Sequence, residues 1–130
     1  MKNGQFALYK GKEYAAGVMD STNIVLCSSD PIDLDRGFIP YHGHDKNIKY
    51  IKYVEKEKVT EFYSITSYVI YKGYKAYIIE EKDGKIAITI NNLLPDRAQE
   101  LKMDRAIDNA IYEKWIDKGN VQVLEEKTVL

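Results

Sequence analysis

The sequence predicts a mainly β fold, α+β at its margin, built from two tandem copies of one small unit of about 62 residues. Three observations point there. The triplet Tyr9-Lys10-Gly11 returns as Tyr71-Lys72-Gly73, an offset of 62 residues. At the same offset, without a gap, Ile24, Asn47, Tyr50, Lys52, Lys56, Val59 and Thr66 meet Ile86, Asn109, Tyr112, Lys114, Lys118, Val121 and Thr128. Finally, short runs rich in Tyr, Val and Ile, residues suited to a pleated and half-buried surface, alternate with Gly and Asp corners. The copies are expected to span residues 1–65 and 66–130. They are expected to be packed as one body, because residues 59–72 join them without Pro or Gly.

Each element follows from local signals. Residues 5–18 and 67–81 each carry an apolar run, a Gly corner and a second extended run, which predicts two paired strands. A third strand follows in each copy. Asp83-Gly84 suits a tight turn before Ile86, Ile88 and Ile90, which share one face; in the first copy residues 20–23 turn before Ile24 and Leu26, both directed inward. Asp30-Pro31 is a helix start, an acceptor followed by Pro at the first helical position, and predicts a turn or so. Residues 91–103 predict a longer helix capped by Asn91 or Asn92. For residues 48–54 and 110–116 two periods compete, since Ile107, Ile111 and Trp115 stand at helical spacing. The alternating Tyr-x-Lys-x-Val/Ile pattern of both copies favours a strand. Turns at residues 55–58 and 117–120 lead to closing strands at 59–65 and 121–126.

Five short strands with a short helix late in the order resemble an SH3-like small barrel. The resemblance covers nearly the whole chain and is one of element order. It implies two tandem SH3-like β-barrel units, and the first departs from the peptide-binding SH3 domains in lacking the acidic loop and the Trp and Pro groove that take polyproline.

Composition narrows the function. Apolar residues at 45% and charged residues at 30% are an ordinary globular balance. Residues 1–65 carry nine basic and nine acidic side chains and residues 66–130 ten and eleven, so neither copy is a nucleic-acid arm or an acidic tail. The single Cys27 excludes an intramolecular disulfide and points to a reducing compartment. No signal-peptide run and no long apolar stretch stands out, which predicts a cytoplasmic protein with no membrane partner.

Few residues suggest chemistry. His42 and His44 with Asp45 have metal-ligand chemistry, but three adjacent groups seldom close a site, and a solvated loop is expected. Cys27 lacks a neighbouring base and is expected to be inert. The pairs Asp33/Asp35, Glu80/Glu81 and Glu125/Glu126 are expected to be exposed charge rather than an acid-base pair. Neither a phosphate loop, a Ser-His-Asp signature nor a Cys-x-x-Cys pair occurs, so no enzyme, metal or cofactor is predicted.

The unusual feature is tyrosine, eleven in 130 residues. Tyrosine offers large, rigid contact area with a polar tip, and strand alternation cannot hide residues on both faces. The sequence therefore predicts a non-enzymatic, cytoplasmic protein-binding module whose partner surface includes Tyr50, Tyr53, Tyr71, Tyr74 and Tyr77. In size, charge balance and β-rich build it is similar to bacterial toxin-immunity proteins. The alternative is a single-stranded nucleic-acid module using residues 46–58, where Lys46, Lys49 and Lys52 interleave with Tyr50 and Tyr53.

Overall fold

The computed structural model describes residues 2–130. It divides into two compact units: Gly4–Ile65 with the terminal residues Lys127–Leu130, and Thr66–Glu126 with Lys2 and Asn3. We call them the N-terminal and C-terminal units.

In the N-terminal unit, β1 (Gly4–Tyr9) and β2 (Lys12–Val18) form a hairpin, β3 (Asn23–Ser28) follows, and a 3-10 helix spans Pro31–Arg36. Then come the two-residue β4 (Ile39–Pro40), β5 (Tyr50–Glu55) and the start of β6 (Glu61–Tyr71), whose residues 61–65 belong to this unit. The antiparallel ladders run in the order β4-β5-β3-β2-β1-β6. Alternation directs Ala7, Tyr14, Ile24, Leu26, Val54 and Phe62 to one face, where Phe38 completes a core.

The C-terminal unit repeats that plan. Within β6, Tyr68–Tyr71 pair with β7 (Tyr74–Lys82), β7 with β8 (Lys85–Ile90), and β8 with β10 (Ile111–Asp117), which also pairs with β9 (Arg105–Asp108). The last strand, β11 (Leu124–Val129), pairs with β6. Val69, Ala76, Ile78, Ile86, Ile88, Ile90, Leu93, Ala98 and Leu101 form its core.

The repeat extends to the register of individual residues. Ala7 faces Tyr14 and Tyr9 faces Lys12; at the 62-residue offset, Val69 faces Ala76 and Tyr71 faces Tyr74. Ile24 against Val54 and Leu26 against Lys52 become Ile86 against Ile116 and Ile88 against Lys114. The 3-10 turns Lys56–Lys58 and Lys118–Asn120 also coincide, each held by a backbone bond to the loop before the third strand. The competing helical period at residues 110–116 therefore yields to a strand, as in residues 50–55.

Two differences distinguish the copies. The second β2-type strand carries an extra residue, since Ile78 faces Ile88 but Glu80 faces Ala87, leaving Ile79 in a bulge. The longer strand then closes through the two-residue turn Asp83-Gly84, both at positive φ, where the N-terminal unit uses a loop organised by Asp20.

The second difference corrects the long helix expected over residues 91–103. Only Pro95–Glu100 is α-helical, here α1. Pro95 holds the preceding Leu94 extended (ψ 150°), so the helix cannot begin earlier, and neither Asn91 nor Asn92 caps it. Asn92 instead adopts φ 58° in the turn before it, and the chain leaves through Lys102 at φ 56°. Asp30, in contrast, does cap its 3-10 helix, accepting from the Ile32 N–H with Pro31 next to it. Among the described residues no helix is long and apolar enough to cross a membrane.

Both Tyr-Lys-Gly corners place Lys and Gly at positive φ (49° and 80°; 48° and 86°), the conformation that matches the right-handed twist of a two-residue hairpin. A Cβ at Gly11 or Gly73 would meet nothing within 4 Å, so only backbone strain opposes a side chain there. Gly11→Val and Gly73→Val should each cost about 1–2 kcal/mol in urea unfolding, whereas Gly119→Ala, at ordinary φ and in open space, should leave the midpoint unchanged.

Candidate functional site

The outer face of the β6/β7 hairpin sets exposed apolar side chains around an ordered charge. Val69, Ala76 and Ile78 point into the core, so Tyr68, Ile70, Lys75, Tyr77 and Ile79 point away from it. Tyr68 faces Tyr77 and Ile70 faces Lys75 across the ladder. The Lys75 ammonium lies 4.5 Å from the Tyr68 ring centre and 5.5 Å from that of Tyr77, and pairs with Glu126 at 2.7 Å. Beside this cluster Ile70 is 54% and Ile79 53% exposed, the latter carried by the bulge.

The tyrosines expected to form one partner surface are divided by strand alternation. Tyr77 lies on this outer face. Tyr71 and Tyr74 pack on the core side, where the Tyr71 hydroxyl donates to the Leu101 carbonyl at 3.4 Å and Arg97 Nε donates to the Tyr74 hydroxyl at 3.0 Å. Both tie the α1 segment to the sheet. Likewise Tyr50 is half-buried against the N-terminal core, while Tyr53, three residues on, is exposed on the opposite face. Lys46 and Lys49 are exposed ahead of β5, but Lys52 turns to the end of the 3-10 helix and donates to the Arg36 carbonyl at 3.2 Å. Since Lys52 and Tyr53 face opposite ways, residues 46–58 do not present one continuous basic and aromatic stripe. Tyr68, Ile70, Lys75 and Ile79 were absent from the expected surface. Their signal was apolar residues at both phases of one strand.

Burial of Asp33 overturns the expectation that it is solvated. It is fully buried, its Oδ1 accepting from the Tyr14 hydroxyl at 2.8 Å and Arg36 at 3.2 Å, its Oδ2 from Lys12 at 3.0 Å and Ser28 at 2.5 Å. The 3-10 helix rotates this one acid inward and leaves Asp35 outside. Burial pushes its carboxyl upward, but donation from Ser28, Lys12 and Tyr14 outweighs it and lowers the pKa to about 2. Conversely, the Asp33 bond raises the Lys12 ammonium, and the Tyr14 phenol is raised by burial and by the same carboxylate.

Other candidates stay apart. Burial raises the half-buried Cys27 thiol, which makes it a poor nucleophile. His42 and His44 lie in an exposed loop. Tyr63, buried beside Glu13, is raised to about 12, by burial first and by that carboxylate second.

Over residues 1–130 the sequence matches the family described as Uncharacterised conserved protein UCP033725. No curated protein and no solved structure matches the chain.

The depressed Asp33 pKa sets a pH dependence. An unfolded Asp titrates near about 4, so the group stabilises the fold above that value and the contribution is lost as pH falls from about 4 towards 2. Asp33→Asn should lower stability at pH 7 by about 1–3 kcal/mol. It should also flatten the urea-midpoint profile below pH 4 relative to wild type.

Proposed function

The chain belongs to this family, and within it we propose a non-enzymatic protein-binding module that recognises its partner through the outer face of the β6/β7 hairpin. One observation carries the reading: Ile70 and Ile79 stand exposed on either side of the Tyr68-Lys75-Tyr77 cluster. Isolated exposed apolar residues are ordinary on a protein surface, whereas aromatic and aliphatic side chains set around one cation make a ready contact area. Rigidity strengthens it. Cross-strand pairing and the Lys75–Glu126 ion pair already order the rings, so docking loses little side-chain entropy. A complementary partner would bring an apolar side chain over Ile70 and Ile79 and a hydrogen-bond acceptor to a tyrosine hydroxyl.

The immobilised protein should retain a stoichiometric partner from native lysate. Ile79→Glu and Tyr77→Ala should each release it by tenfold or more, with circular dichroism unchanged, because neither side chain enters the core. Tyr53→Ala, on the N-terminal unit, should leave capture intact. Retention by both hairpin variants would overturn the reading.

A further inference from the structure

We propose that a cleft in the N-terminal unit is a binding site for a small oxyanion-bearing ligand, a carboxylate or a phosphate. The cleft, about 600 Å³, is lined by Tyr9, Lys10, Lys12, Tyr14, Asp35 and Arg36. That volume suits a small molecule.

The case begins with the repeat. At the 62-residue offset, Lys12, Tyr14, Ser28, Asp33 and Arg36 correspond to Tyr74, Ala76, Ile90, Pro95 and Ala98. Both hairpins hold the same register, and both third strands share it as far as the bulge at Ile79. At these positions one unit carries a buried carboxylate with two cations, while the other carries the buried Ala76, Ile90 and Ala98, the half-buried Tyr74 and an exposed Pro95. Apolar replacement of a buried ion cluster is often neutral or stabilising. Fold maintenance alone therefore does not account for the charged set.

Its hydrogen-bond inventory indicates the ligand. A carboxylate offers about four acceptor positions, and Tyr14, Arg36, Lys12 and Ser28 occupy those of Asp33. No capacity is left there for a cation. What the wall still offers is donors. Lys12 has one N–H beyond its bonds to Asp30 and Asp33, and Arg36 has several beyond its bond to Asp33. Lys10 forms no salt bridge among the described residues and lies 5.3 Å from the centre of the Tyr9 ring. The Lys12 and Arg36 side chains are 35% and 49% exposed, held from behind by the buried acid while their outer sides remain open. Lys10, Lys12 and Arg36 stand against Asp30, Asp33 and Asp35, so the wall is balanced in charge, and its unused N–H donors rather than a net charge are what an acceptor group would meet. The ring of Tyr14, tilted against Phe38 with centres 5.0 Å apart, and the ring of Tyr9 line the cleft beside these donors.

The test is amide chemical-shift titration of the full chain at low salt with inorganic phosphate in one arm and benzoate in the other. Saturable shifts at Lys10, Lys12 and Arg36 in either arm are expected, and the tighter arm identifies the anion class. Lys10→Gln, on the surface and outside the hydrogen bonds that hold Asp33, should weaken that binding severalfold while the remaining spectrum is preserved. No saturable shift in either arm up to about 10 mM, weaker than the millimolar scale of the poorest specific sites, would overturn the proposal. So would a Lys10→Gln variant that binds as wild type does.

Discussion

Everything in this fold depends on two residues per unit held at positive φ. Lys10-Gly11 and Lys72-Gly73 close their hairpins with no slack, so Tyr9 must face Lys12 and Tyr71 must face Tyr74. Side chains alternate with period two, and a slip of one residue would exchange the faces of the whole strand. Once the first ladder is set, the third strand and the fifth inherit their phases. Ile24 and Leu26, or Ile86 and Ile88, then have only one way to face the core. A local backbone conformation thereby determines which residues are available to solvent and which to packing.

The duplication makes the two units a natural comparison of core chemistry on one scaffold. Beneath its 3-10 helix the N-terminal unit holds an acid without solvent contact, and it supports that acid with four donors. In the C-terminal unit Ile90 and Ala98, at the positions of Ser28 and Arg36, belong to a continuous aliphatic cluster, and Pro95, at that of Asp33, is exposed. Burying a charge is tolerable only when its partners replace the lost water, which explains why Ser28, Tyr14, Lys12 and Arg36 occur together in one unit and are all absent from the other. The set behaves as a single substitution: half of it would leave a buried ion short of partners.

Much of this was legible in the residues, and the rest failed for identifiable reasons. The repeat could be read because the turn dipeptide and the Tyr50/Tyr112 region both survive at one offset, and because alternation outweighed the helical spacing of Ile107, Ile111 and Trp115. Helix length was misjudged because propensity favoured residues 99–103, whereas Pro95 and the left-handed Lys102 confine the helix from both ends. Asp33 was hidden for a different reason. Asp33 and Asp35 differ by two positions, and only the pitch of the 3-10 helix distinguishes the inward acid from the outward one. Its donors come from β2, β3 and the helix itself, which no local window joins.

The tyrosines show the same limit more sharply. Counting them identified a surface-forming tendency, but Tyr71, Tyr74 and Tyr77 fall at odd and even phases across a turn, so they cannot act as one patch. Alternation assigns Tyr71 and Tyr74 to structure, where their hydroxyls meet Leu101 and Arg97, and leaves Tyr77 to stand with Tyr68. The bulge completes the division. In the N-terminal unit Gly17 pairs with Val25, whose counterpart Ala87 faces Glu80, so Ile79 is the extra residue and has no equivalent there. A strand that needed only to close its sheet could have kept the regular pairing. The isoleucine adds apolar area on the face where Lys75 has already ordered two rings, and this physical asymmetry separates the proposed contact face from the scaffold that carries it.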